Sequence, residues 1–164
     1  MLHRPLIDGL EFARSGGRLS GEWPIADFPR LQGEVQAGAG ALHYKLAGVP
    51  EEQGRPALRL RVTTTLRLTC QRCLGPFEHS FQVETLLLLF GSESEIAAVP
   101  VNAEASDCIV ATKEMAVRDL IEEELLLAIP YAPRHEGCEA RAGAERASRS
   151  GPFADLRARL GTKH

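Results

Sequence analysis

The alternation of apolar and polar side chains is clearest between residues 57 and 69. The even-numbered residues there are apolar apart from Thr64, and the odd-numbered residues after Ala57 are Arg or Thr. Because successive side chains of a strand point to opposite faces, this pattern predicts a half-buried β-strand with one solvated face. The apolar positions are Leu58, Leu60, Val62, Leu66 and Leu68, and the polar positions are Arg59, Arg61, Thr63, Thr65, Arg67 and Thr69.

A second strand is predicted to follow as the partner of a hairpin. Gly75-Pro76 turns the chain, and residues 77–90 again alternate, with Phe81, Val83 and Thr85 on one face. The end of this segment, Leu86 to Phe90, is continuously apolar. We expect that end to be buried on both faces.

A helix is predicted from Lys113 to Ile129. Its apolar residues recur at the spacing of one helical face, Thr112 is a suitable N-cap, and Pro130 ends the segment. The acidic run Glu122-Glu123-Glu124 is typical of a solvated helix side, with Glu122 and Glu123 pointing away from the apolar stripe. The stripe consists of Val117, Leu120, Ile121, Leu125 and Ala128.

These elements predict one α+β domain, in which an antiparallel sheet or small open barrel packs against one amphipathic helix. The domain covers residues 1–133, of which 1–31 form a loosely ordered lead-in. Residues 134–164 are predicted to be a flexible, basic tail with a short terminal helix. The chain has no apolar run of about 18 residues and no apolar stretch typical of a signal peptide, so we expect a cytoplasmic protein without a membrane partner.

Two short clusters of candidate metal ligands lie far apart in sequence. Cys70 and Cys73 follow the first strand, and His135 and Cys138 follow the helix. Two such turns can complete a tetrahedral Cys₃His site, which predicts a structural zinc. One alternative is that Cys70 and Cys73 only cap a hairpin while His135 and Cys138 lie in a mobile tail. Another is that Cys70 and Cys73 are a redox pair. A redox pair usually opens a helix, whereas this turn is followed by Gly75-Pro76.

The distribution of charge suggests two kinds of partner. The net charge of the chain is −3, but the segment 55–72 has five Arg and no acid. Arg59, Arg61, Arg67 and Arg72 are therefore candidates for contact with RNA phosphates, the alternative being an ordinary solvated strand face. No aromatic residue alternates with these arginines, which disfavours stacking of single-stranded bases. Glu122 and Glu123, in the acidic segment 91–124, are candidates for binding a basic protein.

Three stretches of sequence carry a resemblance to a known family. They are Thr69-Cys70-Gln71-Arg72-Cys73-Leu74-Gly75-Pro76-Phe77, the acidic helix from Asp119 to Pro130, and Pro133-Arg134-His135 with Cys138. Together they resemble the bacterial YceD family, the large ribosomal RNA subunit accumulation proteins. The resemblance implies a cytoplasmic factor needed for accumulation of 23S ribosomal RNA, with no assigned catalytic activity. It also places the family's C-x-x-C on Cys70 and Cys73, and its later His and Cys on His135 and Cys138.

We therefore expect a non-catalytic ribosome biogenesis factor. Its expected partners are precursor 23S ribosomal RNA, a large-subunit ribosomal protein or assembly factor, or both, and no small-molecule substrate. No phosphate-binding loop, nucleophile elbow or dinucleotide fingerprint is present in the sequence. The alternatives are an acidic adaptor that does not contact RNA and, less favoured, a metal- or thiol-dependent enzyme.

Overall fold

A computed structural model describes residues 5–36, 40–99 and 107–138. The segment beyond residue 138, which includes most of the predicted basic tail and its terminal helix, lies outside the described residues. The limits of the predicted domain and tail stay predictions. The strands are β1 Leu6–Ile7, β2 Arg18–Pro24, β3 Ala41–Glu52, β4 Arg55–Thr69, β5 Pro76–Phe90, β6 Asp107–Val110 and β7 Met115–Ala116; the helices are α1 Gly9–Arg14, α2 Glu93–Ala97 and α3 Val117–Ala128.

The main sheet has five strands in the order β2-β3-β4-β5-β6. The first four strands form an antiparallel meander, and β6 joins β5 in parallel. Over the described residues the sheet is open, with β2 and β6 at its edges, and does not close into a barrel. The predicted α+β fold is thus confirmed as an open, mostly antiparallel sheet with few helices.

The central strand β4 has the two faces that its sequence predicts. Leu58, Leu60 and Val62 are completely buried, whereas Arg59 and Arg61 between them are exposed. The buried face of β4 meets Leu42 and Leu46 of β3 and is covered by α1 and α3. The opposite face of the sheet, which we call the open face, carries the exposed arginines.

One end of the open face is covered. Leu88 and Phe90 of β5 lie there with Ala57 of β4 in a second, smaller apolar cluster next to α2. Leu87 and Leu89 point instead into the main core. The prediction that the end of β5 is buried on both faces is therefore confirmed.

The helix α3 begins later than predicted, and Thr112 is not its N-cap. The N-cap residue of α3 is Ala116. Met115 and Ala116 form the short strand β7, which pairs with β1. The backbone N–H of Val117 donates to the carbonyl of Pro5. Contact with the distant N-terminal segment therefore holds residues 115–116 in an extended conformation despite their helical pattern.

The predicted solvated placement of the acidic run is wrong for two of its three residues. Glu122 is only 3% exposed and accepts a hydrogen bond of 2.7 Å from the backbone N–H of Arg30. Glu124 is also buried and accepts a 2.6 Å bond from the hydroxyl of Thr85. Burial raises the pKa of Glu124, and the bond from Thr85 opposes that shift. Only Glu123 remains exposed, where it pairs with Arg30 at 2.7 Å.

A glycine sets the distance between α1 and the sheet. A Cβ atom on Gly48 of β3 would lie 2.2 Å from the carbonyl oxygen of Phe12 and 2.8 Å from the Cα of Ala13. Both contacts are to backbone atoms of α1, which a side-chain rotation cannot relieve. The close approach of α1 to β3 therefore requires glycine at position 48.

We predict that Gly48→Ala lowers the free energy of unfolding by about 1–3 kcal/mol, because α1 must move away from the sheet. The measurement is chemical denaturation of the purified variant. Gly33→Ala is the matched control, since a Cβ at Gly33 has no neighbour within 4 Å. Equal stability of the two variants would contradict this account of helix packing.

Candidate metal centre and arginine face

The first cysteine turn begins where β4 ends. The backbone N–H of Leu74 donates to the carbonyl of Cys70 at 2.8 Å, and the N–H of Cys70 donates to the carbonyl of Gly75 at 2.9 Å. Leu74 has a φ of 60°, in the left-handed region that an L-residue adopts only at a cost in energy. This tight turn brings the thiols of Cys70 and Cys73 to the same end of the sheet.

The second turn, His135 to Cys138, follows α3 and lies directly against the first. The N–H of Cys138 points to the carbonyl of His135 at 3.4 Å, and Gly137 supplies the left-handed residue with a φ of 65°. Two hydrogen bonds to backbone carbonyls join the first turn to this segment. The N–H of Gln71 donates to the carbonyl of Pro133 at 2.8 Å, and the guanidinium of Arg72 donates to the carbonyl of Cys138.

The two turns bring together the four residues that the sequence singles out as ligands. One potential ligand atom from each of Cys70, Cys73, His135 and Cys138 lies within 4.8 Å of the others. The Sγ atoms of Cys70 and Cys138 are 3.5 Å apart, and the Sγ of Cys73 is 3.2 Å from Nε2 of His135. Tetrahedral coordination with bonds of 2.0–2.3 Å separates neighbouring ligand atoms by about 3.3–3.8 Å. The cluster therefore has the donor set and the spacing to hold a metal ion.

Histidine 135 is oriented for this role by its other ring nitrogen. Nδ1 lies 3.1 Å from the carbonyl oxygen of Glu136, so a proton on Nδ1 can be donated there. Nε2 is then left with its lone pair facing the thiols, as in many metal sites whose histidine bonds a backbone carbonyl. The nearby Cys73 raises the pKa of His135.

The backbone around the thiols favours thiolate at the first turn. Burial raises the pKa of Cys70, but N–H groups of Cys73, Arg72 and His135 outweigh it and bring the pKa to about 6. The N–H of Gly75, with His135 beside it, lowers the pKa of Cys73. Burial, together with the other two thiols, raises the pKa of Cys138 to about 11. A cation among these sulfurs would offset their mutual repulsion.

The fourth cysteine of the chain is not part of this cluster. Cys108 lies in β6 against the small apolar cluster of Ala57, Leu88 and Phe90. These contacts are those of a packing residue.

The candidate RNA-binding arginines fall into two places. Arg59, Arg61 and Arg67 are exposed on the open face, and Arg61 forms a 2.8 Å ion pair with Glu84 of β5. Arg72 lies away from them in the first cysteine turn, bonded to the second turn. A role in RNA binding for these residues stays a prediction.

The neighbouring strands place two further cations beside these arginines. Lys45 of β3 lies directly opposite Arg61, and Arg18 of β2 lies opposite Ala47, which is in turn opposite Arg59. Both lie outside the arginine-rich segment 55–72. The alternation of residues 42–46 held a signal for Lys45, because it lies between the apolar residues Leu42, Tyr44 and Leu46. Arg18 had no comparable signal, since the segment around it is rich in glycine.

The candidate protein-binding residues differ in accessibility. Glu123 is exposed on α3 and pairs with Arg30, whereas Glu122 is buried against the backbone of Arg30. Their role in protein binding stays a prediction, and of the two residues only Glu123 presents its carboxylate to solvent.

Comparison with protein-family models matches residues 58–153 to the family described as "Large ribosomal RNA subunit accumulation protein YceD". The matched range covers more than half of the chain. The chain belongs to the YceD family. The resemblance given by the cysteine turns and α3 is thus confirmed. The part of the chain aligned with the YceD family contains both cysteine turns, and it leaves out Arg18 and Lys45.

The name of the YceD family implies a role in accumulation of the RNA of the large ribosomal subunit and names no reaction. Searches of curated proteins and of solved structures found no match to this chain. Within the described residues, no helix combines the length and the apolar character needed to span a lipid bilayer.

We predict that Leu74→Gly raises the free energy of unfolding by about 0.5–1 kcal/mol, because glycine adopts the left-handed conformation without the steric cost paid by leucine. Leu74 is 71% exposed, so little buried area is lost. The measurement is chemical denaturation at constant metal content.

Leu127→Gly is the matched control for this prediction. Leu127 is 72% exposed but lies within α3. Glycine there should lower the free energy of unfolding by about 0.5–1 kcal/mol. The same sign for both variants would show that the backbone of Leu74 is not strained.

Proposed function

We propose that this protein is a non-catalytic, cytoplasmic factor that supports accumulation of 23S ribosomal RNA by binding the precursor RNA directly. The family name supports the link to large-subunit ribosomal RNA. The observation that carries direct binding is the set of three exposed arginines on one face of β4. That face is backed by a fully buried core, so the backbone positions from which its arginines project are fixed.

Electrostatics explain why such a face suits RNA. Phosphate contacts by Arg and Lys supply most of the sequence-independent affinity for nucleic acids. Arg59 and Arg67 have no ion pair of 4 Å or less with an acid of the described residues, so binding a phosphate would break no existing pair at these positions. Arg61 is different, because its ion pair with Glu84 would have to be shared or exchanged.

Binding of a basic ribosomal protein through Glu122 and Glu123 is the alternative. It has less support, because Glu122 is buried and Glu123 already pairs with Arg30. A protein partner would have to share or displace the ion pair between Glu123 and the Arg30 guanidinium.

The proposed cofactor is one structural zinc, held by Cys70, Cys73, His135 and Cys138. The arrangement supports it through its Cys₃His donor set, its ligand spacing and the hydrogen bonds that orient His135. Such an ion would link the end of β4 to the segment after α3 and leave no open coordination position. Its contribution would therefore be to stability rather than to chemistry.

We predict that the purified protein contains one zinc per chain and that Cys70→Ser removes it and destabilises the fold, because a closed site loses a ligand. Metal content is measured by elemental mass spectrometry, and stability by thermal unfolding. Cys108→Ser is the matched control and should retain the metal. Retention of a full equivalent of zinc by Cys70→Ser would exclude this site.

We predict that Arg59→Gln with Arg67→Gln reduces crosslinking of the protein to precursor 23S RNA in cells, because two phosphate contacts are lost. The readout is sequencing of the crosslinked RNA, with the proteins in the same pulldown identified in parallel. Arg14→Gln with Lys113→Gln removes the same charge from α1 and from the loop before β7. That control should crosslink normally.

Two results would contradict direct RNA binding by this face. One is unchanged RNA recovery from the Arg59 and Arg67 variant, and the other is recovery of a ribosomal protein without RNA. The second result would instead favour the acidic adaptor.

A further inference from the structure

The open face gathers four cations from three neighbouring strands. They lie around a shallow recess of about 350 Å³ that also touches Leu19, Ser20 and Leu46. We call this set the basic platform, and it consists of Arg18, Lys45, Arg59 and Arg61. Only two of its members lie within the sequence segment that first suggested RNA contact. The platform is therefore a product of the sheet register and not of one strand.

The four cations of the platform outnumber the acid beside them: Glu84 pairs with Arg61, and Arg61 and Arg59 together lower the pKa of Glu84. Lys45 and Arg61 are directly opposite each other on β3 and β4, an arrangement of like charges that destabilises a sheet. Within the described part of the chain, Arg61 is the only platform residue in an ion pair, with Glu84. An anion placed between these side chains would relieve their repulsion. This arrangement thus points to an anionic ligand.

A row of hydroxyl groups continues the open face beyond the platform. Thr63 and Thr65 follow Arg61 on the same side of β4, and Ser80 of β5 is opposite Thr65. The Thr65 and Ser80 hydroxyl oxygens are 3.1 Å apart. A trough of about 620 Å³ runs past these three side chains. Cations able to bind phosphate therefore lie next to neutral groups that both donate and accept hydrogen bonds, and Glu78 also lines the trough.

Aromatic stacking surfaces are missing from this region. Among the described residues of the open face, no Phe, Tyr or Trp is exposed; Phe90 is on this face but is buried, with Arg55 over its ring at 4.0 Å. Proteins that bind single-stranded nucleic acids commonly stack bases on exposed aromatic rings. Duplex RNA, in contrast, is recognised through phosphates and 2′-hydroxyls across its wide, shallow minor groove.

We infer that the open face binds the backbone of double-stranded RNA, with phosphates on the basic platform and ribose 2′-hydroxyls on Thr63, Thr65 and Ser80. This inference rests on the proposed function and specifies which form of RNA is bound. The RNA is recognised by its A-form shape and its ribose, and not by its base sequence. The partner that fits the open face is a base-paired segment of the precursor RNA.

The test compares three ligands of the same sequence with the purified, metal-loaded full chain. They are an RNA duplex of about 20 base pairs, the matching DNA duplex, and the separate RNA strands. The duplex is longer than the roughly 16 base pairs that a duplex-binding domain spans. Fluorescence anisotropy over a series of salt concentrations gives the affinity and its salt dependence. We expect the RNA duplex to bind most tightly.

Two double variants separate the parts of the inferred surface. Arg18→Gln with Lys45→Gln should reduce the magnitude of the negative slope of log affinity against log salt by about 2, because two phosphate contacts are lost. Thr63→Val with Thr65→Val should leave that slope unchanged and reduce the preference for RNA duplex over DNA duplex. Arg14→Gln with Lys113→Gln is the charge-matched control and should alter neither quantity. Thermal unfolding confirms that each variant is folded.

The outcomes distinguish this inference from the proposed function. Absence of binding to every RNA would overturn both. Two outcomes would overturn this inference and leave direct RNA binding in place. In one, the single strands bind as tightly as the RNA duplex. In the other, the Arg18 and Lys45 substitutions leave duplex binding unchanged. Equal affinity for the RNA and DNA duplexes would also overturn it, because the hydroxyl row would then have no role.

Discussion

The pairing of β4 with neighbours on both sides is the constraint on which the rest of the structure depends. Its register with β3 and β5 fixes which of its side chains enter the core. A shift of one residue would bury the arginines and expose the leucines, so the apolar face specifies the register strongly. The same register assembles the cations of the open face. Core stability and surface charge are therefore two consequences of a single alignment.

The cysteine turns extend this constraint to the end of the described chain. Cys70 immediately follows the last residue of β4. Its Sγ lies 3.5 Å from the Sγ of Cys138, which is 68 positions further along the chain. The hydrogen bond from the N–H of Gln71 to the carbonyl of Pro133 and that from the guanidinium of Arg72 to the carbonyl of Cys138 also join the two turns. A metal at this position would add to these bonds.

The local elements could be predicted from the sequence because their signals are local. The alternation of β4, the Gly75-Pro76 turn and the apolar stripe of α3 each depend on residues close in sequence. The ligands of the cluster could be named from their spacing, but their proximity depends on the path of β5, β6 and α3 between them. Burial of Glu122 could not be predicted, since its partner, the N–H of Arg30, is 92 residues away. The two-residue strand β7 has no local signal, and it exists only because β1 pairs with it.

The chain order of these elements affects how the protein is made. The four antiparallel strands of the main sheet all lie within residues 18–90, so they can pair as a meander soon after they are synthesised. The helix α3 and the second cysteine turn follow only later. At the usual rate of synthesis, the roughly 50 residues between Phe90 and Cys138 take about 2–10 s. During that interval the apolar face of the nascent sheet lacks α3, and chaperones have access to it before the cluster can close.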